Sequence, residues 1–189
     1  MAKKARVYDG TAWQELASAQ TDLTAYSTTA QMNAAIVAPG KVLQVQSVLM
    51  TASFSTTSAS LVDITGLTVS ITPTSATSKV LVFWSVSGTS SDTANAGGNG
   101  VQLKRGTTSL AVSTAGSGSQ LTGVLTQRLT PSSEDNKNVA GSFLDSPATT
   151  SATTYKMQGI AAGGTLYINR GSGGFTGSVS TLTVMEISA

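Results

Sequence analysis

The feature that most constrains the fold is a series of short runs rich in β-branched and aromatic residues, separated by glycine-rich spacers. Towards the C-terminus the runs cover residues 153–158, 165–170 and 180–187. Runs of this length and composition are typical of β-strands, and the glycines between them are typical of turns. In the first run Tyr155 and Met157 alternate with polar residues, which predicts one buried and one solvated face. The chain should therefore form sheets, with earlier strands supplying the opposing layer.

The same pattern continues through the rest of the chain from residue 41. We predict further strands over residues 42–54, 61–71, 79–86, 101–105, 109–112, 121–129 and 139–144. Gly66 interrupts the second of these and predicts a bulge or bend. The run at 79–86 is apolar on both faces, which predicts a central strand. About eight to ten strands with closely spaced turns favour an all-β fold, a jelly-roll-like antiparallel β-sandwich over residues 41–189.

Composition limits the chemistry that this body can perform. The chain has no histidine and no cysteine, which excludes Ser-His and Cys-His nucleophilic pairs, imidazole acid–base catalysis and the common zinc sites. Apolar residues make up 40% of the chain, enough for a core, and only 11% of residues are charged. A glycosidase that uses two carboxylates across a sugar stays open as an alternative. Asp9, Asp92, Glu134 and Asp145 stand beside glycine or serine in apparent turns, and we predict no catalytic residue, metal site or cofactor.

Two glycine-rich loops superficially match ligand-binding motifs. The segment that begins at Asp92 resembles a calcium loop, but a leucine stands at position 103, where a calcium hand needs glutamate. Residues 171–177 follow a strand, yet neither a helix nor a Lys-Ser/Thr pair comes after them, so a hairpin loop is the better interpretation. Phe175 in that loop is the candidate ligand contact. A carbohydrate-binding module, whose exposed aromatic residues stack on sugars, is therefore an alternative function.

The first 40 residues do not continue the strand pattern of the predicted sandwich, residues 41–189, which we call the body. An Asp-Gly pair ending at Gly10 is a strong tight-turn signal, and Val7, Tyr8 and Trp13 flank it. We therefore predict a small hairpin with an aromatic face within residues 1–17. An isolated two-stranded hairpin is marginal in water, so this one should rest on another surface, either of the same chain or of a partner protein.

Residues 18–40 are predicted to be a linker or a short helical stem. Apolar and amide side chains recur there at helical spacing: Leu23, Tyr26, Ala30, Asn33 and Val37. In a parallel bundle of several chains, Asn33 would be the buried polar position that sets the register. The pattern lasts only about two heptads, so a self-associating stem and a plain linker or packed helix both stay open. A Pro-Gly pair at positions 39 and 40 ends the segment in either case.

Charge and hydropathy say little about partners. The net charge is +2, and the lysines and arginines are scattered rather than arranged in a stripe that could follow phosphates. Lys3, Lys4 and Arg6 form a basic cluster that is either solvated or in contact with a larger assembly. No apolar run approaches the roughly 18 residues of a membrane helix, and the N-terminus lacks a signal-peptide core. We predict no nucleic acid binding, no membrane insertion and synthesis in the cytoplasm.

Several short sequence segments together resemble a known family. Two lie near the N-terminus, at residues 5–13 and 21–23, and the others lie in residues 41–189. The body phrases are Ile71-Thr72-Pro73-Thr74-Ser75, Ser78-Lys79-Val80-Leu81-Val82, Asp145-Ser146-Pro147, Thr153-Thr154-Tyr155-Lys156, Tyr167-Ile168-Asn169-Arg170 and Val184-Met185-Glu186-Ile187. The set resembles phage virion proteins of the tail-fibre or minor structural type, which have an N-terminal attachment segment and a β-sandwich head domain.

The resemblance implies a non-enzymatic homotrimer on the surface of a phage particle, made in the host cytoplasm. Its N-terminus would dock on a capsid or tail protein through Arg6, Val7, Tyr8, Trp13 and Leu16. The sandwich would project outward as a fibre or knob. A tail fibre that binds the host surface, with a glycan as a candidate partner, is the leading expectation. A capsid decoration protein on the phage head is the alternative.

Overall fold

The computed structural model describes residues 6–8, 10–15, 39–90, 99–112, 137–161, 163–170 and 177–189. Within these ranges every regular element is a strand, and every strand pair is antiparallel. The chain divides into two units, Met1–Lys41 and Val42–Ala189. The prediction of an all-β, antiparallel fold is confirmed. The helical stem was predicted for a segment of which residues 18–38 lie outside the described ranges.

The first unit contains a two-stranded hairpin of β1 (Arg6–Tyr8) and β2 (Trp13–Glu15). Tyr8 stands opposite Trp13 at the pair nearest the turn. Gly10 in the turn has a φ of +97°, a left-handed conformation that glycine adopts without the steric cost of a Cβ atom. The hairpin predicted from the Asp-Gly signal is therefore present.

In its described part the second unit contains ten strands in two sheets. They are β3 (Val42–Met50), β4 (Phe54–Thr56), β5 (Val62–Ile71), β6 (Lys79–Ser90), β7 (Asn99–Arg105), β8 (Thr108–Ser109), β9 (Lys137–Asp145), β10 (Thr153–Ala161), β11 (Leu166–Ile168) and β12 (Ser180–Ile187). The smaller sheet has the order β5-β10-β7-β8. In the larger sheet β12 and β11 pair with successive parts of one edge of β6, and β9 pairs along its other edge. The strands β3 and β4 pair with β12 and β11.

The two sheets enclose one hydrophobic core. The larger sheet contributes Val82, Trp84 and Leu182, and the smaller sheet contributes Leu103 and Met157, each at most 5% exposed. Burial alternates strictly along β12, as it does along most of β10, because successive side chains of a strand point to opposite faces. Each fully buried aliphatic side chain contributes on the order of 1.5–3 kcal/mol, so this core is the main source of stability.

The glycine-interrupted strand forms as predicted. Gly66 lies in β5 with a φ of +96°. Opposite this part of β5, the register of β10 shifts between Lys156 and Gln158. This irregularity is the bulge that the glycine predicts, since only a residue without a side chain adopts this conformation at low cost.

The long strand predicted over residues 42–54 is instead two strands, β3 and β4, with a break at residues 51–53. At the break the Asn169 side-chain amide donates to the carbonyls of Met50 and Ala52, at 2.8 and 3.0 Å. Asn169 is buried and has a φ of 60°, a left-handed conformation that asparagine tolerates. Its Oδ1 atom accepts a hydrogen bond from Ser180 at 2.6 Å. One buried amide therefore connects the broken edge strand to the start of β12.

The remaining strand predictions have mixed outcomes. The central strand is confirmed, since β6 pairs along both edges. The strand predicted at 109–112 is reduced to β8, because the backbone leaves the ladder after Ser109 and Ala111 has a positive φ of 51°. The strand predicted at 121–129 lies outside the described residues.

Candidate functional site

The predicted attachment residues fall on the hairpin of the first unit. Arg6, Val7 and Tyr8 form β1, and Trp13 begins β2 opposite Tyr8. The other predicted site residues lie outside the described ranges: Leu16, the stem positions Leu23, Tyr26, Ala30, Asn33 and Val37, and the loop residue Phe175. The hairpin register therefore brings the two aromatic attachment candidates to directly opposed positions, close to the turn.

An ionic cluster in which Asp145 and Tyr155 are buried and Arg105 is half-buried joins the two sheets of the body. Arg105 of β7 and Tyr155 of β10 stand opposite each other, and Asp145 ends β9 in the other sheet. The Arg105 Nη1 atom donates to both oxygens of Asp145, at 2.8 and 2.7 Å, and the Tyr155 hydroxyl donates to Oδ2 at 2.6 Å. Burial, and after it the neighbouring carboxylate, raises the pKa of the Tyr155 hydroxyl above its ordinary value. Both oxygens of Asp145 thus accept hydrogen bonds from residues of the opposite sheet.

A second buried carboxylate, Glu186 of β12, anchors the turn after β5. It is fully buried, and its Oε2 atom accepts a hydrogen bond from Gln44 Nε2 at 2.6 Å. Its Oε1 atom accepts from the backbone N–H and the hydroxyl of Thr74, both at 2.7 Å. Burial by itself raises the pKa of this carboxyl, but the hydrogen bonds outweigh burial and hold the pKa below its ordinary value. The side chain therefore stays ionised and fastens this turn to β12 and β3.

A third carboxylate lies on the outer face of the smaller sheet. Asp63 accepts hydrogen bonds from Lys156 Nζ at 2.8 Å and from Gln158 Nε2 at 2.6 Å. The hydrogen bond from the lysine is the main cause that lowers the pKa of Asp63. Since the Asp63 side chain is 52% exposed, water screens this ion pair and its contribution to stability is small.

These clusters were not predicted from the sequence, although part of the signal was there. The alternation along β10 predicted that Tyr155 faces inward, where a buried hydroxyl needs a partner. Nothing local to Asp145 or Glu186 indicates that they are buried, because each is satisfied by donors that are distant in the chain. Both carboxylates have a structural role, since Asp145 links the two sheets and Glu186 holds the turn after β5 through these hydrogen bonds.

The outer face of the larger sheet carries both apolar and hydroxyl side chains. Four side chains stand in register across four strands and form what we term the apolar row: Val45, Met185, Leu81 and Leu144. Its end members Val45 and Leu144 are 49% and 54% exposed. Phe83, in the next row, is 41% exposed and stands between Thr183 and Ser142. The sequence predicted that β6 is apolar on both faces, and this second face is the one left open.

A cation–π pair, Arg170 with Tyr167, precedes the segment that contains Phe175 in the sequence. The Arg170 guanidinium lies 4.8 Å from the centre of the Tyr167 ring, within the range of a cation–π interaction. Tyr167 is half-buried in β11, next to the strand end. This contact favours one orientation of the Tyr167 ring, a few residues before the segment 171–176 in the sequence.

Across the described ranges, no three His, Cys, Asp or Glu side chains come together as metal ligands would. In the same part of the chain, no helix has the length and apolar character that crossing a bilayer requires. A scan against protein-family models and a search of curated proteins found no match for the chain. Its function is therefore argued from the fold and the surfaces.

Proposed function

We propose that this chain is a non-enzymatic structural protein of a phage particle, a homotrimeric fibre or knob. Its N-terminal hairpin docks on a capsid or tail protein, residues 18–40 form the linker or stem, and residues 41–189 form a jelly-roll head at the particle surface. The observation that carries the proposal is the order of the strands in the two sheets.

A jelly roll is an antiparallel ribbon of eight strands that is rolled up, so that the first strand pairs with the eighth, the second with the seventh, and so on inward. Counting β3, β5, β6, β7, β8, β9, β10 and β12 as these eight, all four pairs occur. They are β3 with β12, β5 with β10, β6 with β9, and β7 with β8. The two further neighbours that rolling creates, β12 with β6 and β10 with β7, are also present. The pairing supports a jelly roll in which β4 and β11 extend the first and last strands.

Jelly rolls build viral capsid and lectin domains, which makes a particle component a natural use of this fold. The low charge suits a body whose edges and faces are covered by neighbours rather than by solvent. The marginal stability of a two-stranded hairpin suits a segment that gains its stability on docking. Asp145 and Glu186 both accept hydrogen bonds from other strands and turns, which supports a structural role for these two carboxylates.

Immunogold labelling of purified phage particles with antibodies against the body tests the proposal. We expect label on the particle surface, and its position separates a tail fibre from a capsid decoration protein. Deletion of residues 1–38, and the double substitution Tyr8→Ser with Trp13→Ser, should abolish incorporation, whereas Thr68→Ser on the body should leave it unchanged. Particles without label, or normal incorporation of the deletion variant, would contradict the proposal.

A carbohydrate-binding module is the second candidate, because lectins also use jelly rolls and the contact with Arg170 favours one orientation of the Tyr167 ring, a few residues before Phe175 in the sequence. This candidate joins the first if the sugar is on the host surface. A glycan array with the full chain tests it. We expect Phe175→Ala to abolish any binding, and binding that survives this change would rule out the loop as the contact.

A further inference from the structure

We infer that the outer face of the larger sheet is the surface through which copies of this chain contact one another. This inference rests on the proposed homotrimer and names the surface that forms it. We use the term oligomer face for the side chains of β3, β12, β6 and β9 that point away from the core.

Exposed apolar side chains are concentrated on this face. In the described part of the chain, seven large hydrophobic side chains are exposed, and five of them belong to the oligomer face. They are Val42, Val45, Leu49, Phe83 and Leu144, with exposed fractions of 41–58%. The strand registers place them within a few rows of one another, with the apolar row at the centre. They form one surface rather than scattered single positions.

The smaller sheet provides the comparison within the same molecule. Its outer face is polar and makes its own hydrogen bonds, such as Lys156 to Asp63 and Ser70 to Thr154. An antiparallel sheet that packs one face on the core normally has such a polar outer face. The outer face of the larger sheet also has such pairs, Ser47 with Thr183 and Ser85 with Asn138, but five large apolar side chains are exposed on it, which favours a cover in the assembled protein.

The chemistry of the face favours a second copy of the chain as the cover. Among its described side chains, the only formal charge is Lys79, at one end, where its Nζ atom donates to Ser146 at 2.8 Å. A charged partner such as a nucleic acid would find no complementary group in the centre. On one side of the apolar row stand hydroxyl side chains, Ser47, Thr183 and Ser142, together with Phe83. On its other side stand Val42, Ile187 and Lys79. In a trimer the same face of each copy would point toward the shared axis, so that the apolar rows of the three copies meet there.

The size of the face also fits an interface between copies. The five exposed apolar side chains present roughly 400 Å² of accessible surface, and apolar patches of about this size are often functional. A standard stable interface buries roughly 800 Å² per partner, so this patch would form its apolar centre and the surrounding hydroxyl-bearing side chains its rim. In a closed cyclic oligomer every copy presents the same face around the axis, so one apolar surface per chain is sufficient.

A unique thiol tests the inference, because the chain has no cysteine of its own. Ser142→Cys places a thiol beside Phe83 on the oligomer face, and Thr68→Cys places a matched exposed thiol on the smaller sheet. In the full-length oligomer we expect a maleimide to label the first thiol at least about tenfold more slowly than the second. Dilution that dissociates the oligomer should remove the difference. Equal labelling rates in the intact oligomer would overturn the inference.

A second measurement uses charge. The double variant Val45→Glu with Leu144→Glu puts carboxylates at both ends of the apolar row, and light scattering should then give a lower mass than for the wild type. The matched control, Thr68→Glu with Ser70→Glu on the smaller sheet, should keep the wild-type mass. Circular dichroism checks that all variants stay folded. If the double variant keeps the wild-type mass while the Ser142→Cys thiol labels slowly, the stem also holds the copies together and the inference is supported. If the mass is unchanged and that thiol labels fast, the inference is refuted.

The outcomes separate this inference from the proposed function. If the Ser142→Cys protein is an oligomer and its thiol labels freely, the phage proposal stands and the oligomer face is refuted. A full-length monomer at all concentrations refutes both the trimer and the oligomer face. Absence of the chain from purified particles refutes the phage proposal, while the thiol rates still decide the oligomer face.

Discussion

Replacing Glu186 by glutamine changes one buried oxygen into an amide nitrogen and hardly alters the shape of the side chain. In the wild type both carboxylate oxygens only accept hydrogen bonds, from Gln44 on one side and Thr74 on the other. The amide of Glu186→Gln must direct its NH₂ group at one of these donors. If it faces Gln44, that side chain can turn only by giving up its own 2.7 Å bond to the Thr72 carbonyl. One hydrogen bond is therefore lost in any arrangement.

The size of the effect follows from the charge of the acceptor. A hydrogen bond to an ionised group contributes about 1.5–3 kcal/mol net, and a donor left without a partner adds to the loss. We expect the free energy of unfolding at pH 7 to fall by about 2 kcal/mol in Glu186→Gln. The matched substitution Asp63→Asn removes a half-exposed carboxylate and should cost less than about 1 kcal/mol, because water screens that ion pair.

The stability difference between the wild type and Glu186→Gln should depend on pH. The folded-state pKa of Glu186 lies below the ordinary value of 4.5, so ionisation of this carboxyl stabilises the folded state. That stabilisation is fully present above about pH 4.5 and is lost as the pH falls through the folded-state pKa. Below it the protonated wild type resembles the glutamine variant. The difference in stability between the two proteins should therefore shrink on going from pH 7 to pH 3.

Urea unfolding of both proteins, at one protein concentration and at several pH values, measures this difference. The other carboxylates titrate in both proteins and cancel in the comparison. A stability difference that is as large at pH 3 as at pH 7 would refute the role of the ionised carboxylate. Equal stability of the two proteins at pH 7 would refute the hydrogen-bond argument itself.

Two further substitutions probe the core. Gly141→Ala would place a Cβ atom 2.5 Å from the Trp84 ring and should lower the unfolding free energy by about 1–3 kcal/mol, whereas Gly177→Ala, whose Cβ meets no atom within 4 Å, should be nearly neutral in thermal unfolding. Tyr155→Phe removes the hydroxyl that donates to Asp145 and should cost about 1.5–3 kcal/mol, measured by urea unfolding. An unchanged midpoint in either protein would contradict the contact on which that prediction rests.

The candidate surfaces could be anticipated only in part. The Asp-Gly signal predicted the hairpin that presents Tyr8 and Trp13, because a tight turn depends on its own few residues. The apolar character of both faces of β6 could be read from residues 79–86. That one of these faces would stay open to solvent within the chain could not, because periodicity records which side chains are apolar and not what covers them.

The sequence by itself determined that the body is built of antiparallel strands and that Tyr155 and Met157 of β10 point inward. Both follow from the two-residue alternation of a strand, which is a local property of the chain. Only the tertiary structure decided which strands pair, where the first strand of the body breaks, and which carboxylates are buried. Asn169 bonds to a carbonyl 119 positions away, and Glu186 to an amide 142 positions away. Such contacts exist only once the sheets have assembled, because no local pattern brings residues so far apart together.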